Sequence, residues 1–126
     1  MRRADAKSHV PIVRIGDRLL VSVQVELHDQ LALALQNDLT QTIARHGARG
    51  VLIDVSSVEI IDSFIARILA NIAQLARILG AATVVVGIQP AVAITLVELG
   101  IALDGIQTAL DAERGMAVLD ETIGRA

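Results

Sequence analysis

The sequence predicts an α/β domain: a mixed, mostly parallel β-sheet with an antiparallel N-terminal edge strand and about four helices. Three observations carry that prediction. Two short aliphatic runs, Val51–Val55 and Thr83–Ile88, have the continuous apolar character of strands covered on both faces. Each follows a stretch of helical periodicity, the alternation that crossover connections between parallel strands produce. Near the N-terminus two further strand-like segments flank Gly16-Asp17, a pair suited to a hairpin turn.

Taken in order, the first two strands are expected over Pro11–Ile15 and Arg18–Gln24, and the alternation from Val21 onward marks one face as more buried. Asp29 is placed to cap a helix running to about His46. Leu31, Leu35, Leu39 and Ile43 form its apolar stripe, and Gly47 supplies a left-handed stop. Gly50 and Ser56-Ser57 bracket the Val51–Val55 strand. A second helix starts at Asp62 or Ser63. Phe64, Ile65, Ile68, Leu69, Ile72, Leu75, Ala76 and Leu79 recur at helical spacing, Arg67, Asn71 and Gln74 take the other face, and Gly80 ends it. Pro90 fits the first position of a short third helix ending at Gly100, where its missing N–H has no helical partner to lose. A short strand is expected around Gly105–Ala109, and Asp111 can cap a last helix that Gly115 weakens. The order is ββαβαβαβα, forming one domain over residues 10–123 behind a polar tail of residues 1–9.

Composition removes several classes of function. At 126 residues and 13.3 kDa the chain is one domain with one core. Phe64 is its only aromatic residue, so stacking platforms for single-stranded nucleic acid and aromatic cages are not expected. The net charge of -3, with the acidic excess concentrated after residue 50, argues against nucleic acid as a partner. Without cysteine there is no disulfide, iron–sulfur or thiol chemistry, and a reducing compartment is compatible. Met1–Lys7 is polar with no apolar segment behind it, so no secretory signal is read. Ile78–Val97 is a run of 20 residues without a charge, long enough for a membrane span. Gly80, Gly87, Gln89 and Pro90 divide it, however, and a buried strand followed by a short helix is the reading; no membrane is expected.

Motifs for conventional chemistry are missing. There is no G-x-G-x-x-G, Walker sequence, G-x-S-x-G elbow or H-E-x-x-H. His28-Asp29 has ligand-type side chains, but a helix cap beside an exposed histidine explains the pair more simply. Asp54 and Asp62 approach one rim of the sheet, yet a Mg²⁺ site lacks its third oxygen ligand and a phosphate cradle. No metal, cofactor or enzymatic activity is expected. Ser63 is the most informative polar residue. Either it or Asp62 can cap the second helix, and capping is the simpler role. If Asp62 caps, Ser63 becomes the first helical residue with a free hydroxyl. A phosphate there gains from unpaired helix amides and the positive dipole end, with Arg67 in reach and Glu59 and Asp62 repelling it.

Three segments together resemble the RsbS family, the small single-domain STAS antagonists of the bacterial stressosome. They are Ile61-Asp62-Ser63-Phe64-Ile65-Ala66, the segment Leu19 to Leu27, and the segment Gly87 to Leu103. The resemblance runs from about Val10 to Leu119. It implies a STAS fold and a cytoplasmic scaffold that self-associates and assembles with RsbR-type co-antagonists. That assembly would sequester an RsbT-type serine kinase, which phosphorylates the serine after the aspartate, here Ser63, and is released; an RsbX-type phosphatase resets the site. Glu59, Asp62, Ser63, Phe64 and Arg67 form the implied switch surface. The wider STAS group includes anti-anti-sigma factors, an alternative function, whose motif reads Asp-Ser-Ser-Gly. Here Phe64 and Ile65 replace its last two residues, which favours the stressosome branch. Phe64 itself is expected to pack in the core.

Overall fold

The computed structural model describes residues 9–101, 103 and 105–124; most of the expected polar tail lies outside them. The elements are β1 (Ile12–Ile15), β2 (Arg18–Ser22), α1 (Asp29–His46), β3 (Gly50–Asp54), α2 (Ser63–Ile78), β4 (Ala82–Val86), α3 (Pro90–Glu98), β5 (Ile106–Ala109) and α4 (Ala112–Gly124). One five-stranded sheet runs in the order β1-β2-β3-β4-β5. Only β1–β2 is antiparallel, turning through Gly16 at φ 62°. The other pairs are parallel, aligning Leu19, Val51, Thr83 and Ile106 in one row and Leu20, Leu52, Val84 and Gln107 in the next. The predicted element order and the edge hairpin are both present.

Alternation along the strands divides the core in two. Leu19, Val21, Val51, Ile53 and Val85 join Leu31, Leu35, Leu39, Ile65, Ile72 and Val92 in a large cluster on the side of α1, α2 and α3. Leu52, Val84 and Val86 meet Leu119 of α4 on the opposite face. The central strand β3 is therefore covered on both faces, as its unbroken apolar run requires. Gly115 lets α4 settle onto that second face: a Cβ there would lie 2.5 Å from Val86 Cγ1 and 3.0 Å from Leu52 Cδ1. The residue that weakens the helix by propensity is the one that permits its packing.

Several ends differ from the sequence reading. His28, not Asp29, is the N-cap of α1: its backbone is extended at φ -97°, ψ 171°, and Nδ1 accepts the Leu31 N–H at 3.2 Å. Asp29 is the first helical residue, with its charge at the positive end of the dipole. Strand β2 ends at Ser22, although the Val23 N–H still donates to the Asp54 carbonyl at 2.9 Å, which accounts for the longer alternation. Strand β4 ends at Val86 because Gly87 turns to φ 76°. Gly47, at φ 63°, closes α1 as expected by donating to the Ile43 carbonyl. No helix among the described residues is long and apolar enough to cross a membrane, and Ile78–Val97 divides between the end of α2, β4 and α3.

Candidate functional site at the C-terminal rim of the sheet

The loop leaving β3 is fastened from several directions. Asp54 Oδ1 accepts the Ser56 N–H at 2.9 Å, and the Val55 N–H donates to the Val86 carbonyl at 3.0 Å. Gln89, which precedes Pro90 at the start of α3, donates from Nε2 to the Ser56 carbonyl at 2.8 Å. Gly87 lies against the same residue: a Cβ on it would come within 2.8 Å of Ser56 Cβ and 3.1 Å of its Cα. Val58 and Ile61 then turn inward, while Glu59 and Ile60 between them stay exposed. Glu59 and Ile60 share a rim cleft of about 280 Å³ with Gln24, Glu26 and Ser57.

Asp62 caps α2. Its backbone is extended at φ -111°, ψ 178°, and Oδ1 accepts the Ile65 N–H at 2.9 Å. Of the two capping candidates this leaves Ser63 as the first helical residue, exposed, its hydroxyl without a hydrogen-bond partner among the described residues. Arg67, one turn along the same helix face, is also exposed and makes no ion pair among the described residues. Glu59, Asp62, Ser63 and Arg67 thus lie along one exposed loop-to-helix segment.

Phe64 departs from its expected place. It is 37% exposed, and Ile65, 3% exposed, takes the core position beside it. The helical step of 100° per residue carries Phe64 to the margin of the apolar stripe. Asp54 and Asp62 each spend an oxygen on a local N–H, and no group of three or more His, Asp or Glu among the described residues could hold a metal ion. His46 lies in the last turn of α1 with Nδ1 at 2.6 Å from Arg14 Nη1. The sequence does not mark Gln89 and Gly87 as rim-fastening residues. Beside Pro90 they read only as punctuation before a helix, and the glycine's closeness to Ser56 leaves no local pattern.

Residues 9–112 match the family model of the STAS domain. Among solved structures the chain is similar to a serine-to-glutamate variant of RsbS from Moorella thermoacetica, at 37% identity and a TM-score of 0.80, covering 93% of this chain and 98% of that one. It is also similar to a chain from the molecular architecture of the stressosome, a signal integration and transduction hub, at 35% identity and a TM-score of 0.72, covering 92% and 100%. The RsbT co-antagonist protein RsbRA of Bacillus subtilis (strain 168) is 30% identical over 112 residues, 80% of this chain and 41% of RsbRA, so the chain spans about two fifths of that relative. The chain belongs to the STAS domain family and is of the RsbS type.

Proposed function

We propose that this chain, as one STAS domain over residues 10–123, is a non-enzymatic stressosome antagonist. It holds an RsbT-type serine kinase and releases it when Ser63 is phosphorylated. The observation that carries the reading is the division of labour at the start of α2: Asp62 does the capping, and Ser63 presents an uncommitted hydroxyl to solvent. A phosphate on Ser63 brings about -1.5 to -2 charge to a helix end whose free amides favour an anion. Arg67 is available to pair with it, while Glu59 and Asp62 oppose it. The local fold tolerates the modification and the surface charge changes sharply, which is what a binding switch needs. Exposed Ile60 and Phe64 flank the serine and supply apolar area for a kinase to cover.

The likeness to RsbS, to a stressosome chain and to an RsbT co-antagonist supports self-association, assembly with RsbR-type partners in the cytoplasm, and a role in the general stress response. An RsbX-type phosphatase would restore the unmodified state. The test combines an RsbT-type kinase with phosphosite mapping and binding assays. Phosphate is expected on Ser63, with Ser56 and Ser57 largely unmodified. Ser63→Ala should stay unphosphorylated and retain the kinase; Ser63→Asp should bind it more weakly. Phosphate mapped chiefly elsewhere, or equal kinase binding by unmodified and phosphorylated protein, would overturn the switch. Capture of an anti-sigma kinase in place of the RsbT type would overturn the choice of partner.

A further inference from the structure

At the opposite end of the sheet, where β4 and β5 begin, an open cleft of about 480 Å³ lies between the C-terminal turn of α2 and the last turns of α4. Among the described residues, Arg77 is the only charged one that lines it. That guanidinium reaches over Gly105, so that a Cβ on Gly105 would stand 3.4 Å from Nη1. Arg77 makes no ion pair or hydrogen bond among the described residues. Thr83 lines the same cleft, is 3% exposed, and its Oγ1 is buried with no hydrogen-bond partner. A buried hydroxyl in that condition is rare in folded proteins, because it has given up water without a replacement. On the other wall Thr122 gives its hydroxyl proton to the Val118 carbonyl at 2.8 Å, and its Oγ1 lies 3.0 Å from the Gln107 side-chain amide. The remaining lining is small and apolar, mostly alanine.

We propose that this cleft binds a small anion through a carboxylate or phosphate group, with Arg77 as the charge partner and Thr83 as a hydrogen-bond donor. The volume falls in the range of small-molecule sites, and Arg77 of α2 and Thr83, on the sheet face that α2 covers, stand beside a largely apolar wall as such sites require. A guanidinium presents donors that match either oxyanion. The site is separate from the Ser63 reading: Arg77 is 14 residues further along α2, roughly 21 Å away at the helical rise. Failure of one leaves the other standing.

The test is an NMR titration of isotope-labelled protein with inorganic phosphate and, separately, with succinate, at fixed ionic strength and with sodium chloride as control. Saturable shifts centred on Arg77, Thr83, Gly105 and Gln107 are expected. Saturation by phosphate alone or by succinate alone identifies the preferred oxyanion. Arg77→Gln, an exposed substitution, should raise the dissociation constant at least tenfold with a native spectrum elsewhere. Thr83→Val removes a hydroxyl that has no partner, so it should fold and bind several-fold more weakly. The proposal is overturned if neither anion saturates, if chloride produces the same shifts, or if both variants bind as the wild type does.

Discussion

Two serine-bearing segments share the C-terminal rim, and they are built in opposite ways. Ser56 and Ser63 are both exposed, so exposure does not distinguish them. At Ser56 the backbone is committed: its N–H goes to Asp54, its carbonyl receives Gln89, and Gly87 lies against its Cα. At Ser63 the neighbour does the structural work, because Asp62 caps the helix, and the serine hydroxyl is left over. A bulky charged group can be added where the fold has no stake in the side chain. Adding one to the Ser56 loop sets it against a packed backbone and the Asp54 carboxylate. The contrast turns on which residue carries the local hydrogen bonds.

The strongest way to break this contrast is to push on the Ser56 loop from behind. Gly87→Ala places a side chain at φ 76° and a Cβ 2.8 Å from Ser56 Cβ. The positive φ costs about 1–3 kcal/mol, and the displaced loop adds to it, for about 2–4 kcal/mol in all. Urea unfolding gives the number. A Gly87→Ala protein as stable as the wild type would show that the loop yields freely and that the two segments do not differ in how firmly they are held.

The next effect falls on the cap. Asp62→Ala should lower stability by about 1 kcal/mol, and Asp62→Asn, which keeps a capping oxygen, by no more than about 0.5 kcal/mol. Thermal or denaturant melts of the pair distinguish loss of the cap from loss of charge. Equal losses in both would mean that the carboxylate charge, not the 2.9 Å bond to the Ile65 N–H, steadies the helix start.

Much of this architecture was legible in the residues. The apolar run at Val51–Val55 and the stripe of Leu31, Leu35, Leu39 and Ile43 are read from period alone, and all four stripe residues are buried. Asp62 and Ser63 mark the helix start in the sequence, but only backbone geometry decides between two adjacent capping side chains. His28 is not legible as the cap of α1, because imidazole is an uncommon cap and Asp29 stands beside it. Hydrophobicity alone points Phe64 inward, whereas a 100° step decides its position. Gly115 looked like a flaw in a helix, since contact with Val86 and Leu52 is not written in its neighbours. The cleft around Arg77 and Thr83 was invisible, because its residues are scattered along the chain with no spacing to connect them.

A smaller test touches the fastening itself. Gln89→Ala removes one side-chain bond to the Ser56 carbonyl at an exposed position, so the expected loss is about 0.5–1 kcal/mol. Hydrogen exchange sharpens it: amides of the Ser56 loop should exchange faster, while those at the start of α2 keep their protection. Faster exchange at both places would mean that the two segments open as one unit, and the contrast between them would fail.

The smallest effect is expected where the two segments are charged in the same way. Ser63→Asp puts a carboxylate in the first turn of α2, where the dipole contributes about 0.3–1 kcal/mol, and the adjacent Asp62 with Glu59 takes part of that back. The net change should stay within about 0.5 kcal/mol. Ser56→Asp meets the Asp54 carboxylate, whose Oδ1 already holds the Ser56 N–H at 2.9 Å, with no helix end to offset the repulsion. It should be the less stable of the two by about 0.3 kcal/mol or more. Melts of both variants at low and high salt decide it, because screening should narrow the gap. A Ser63→Asp protein that is the less stable one at every salt concentration would remove the physical basis for placing a phosphate there.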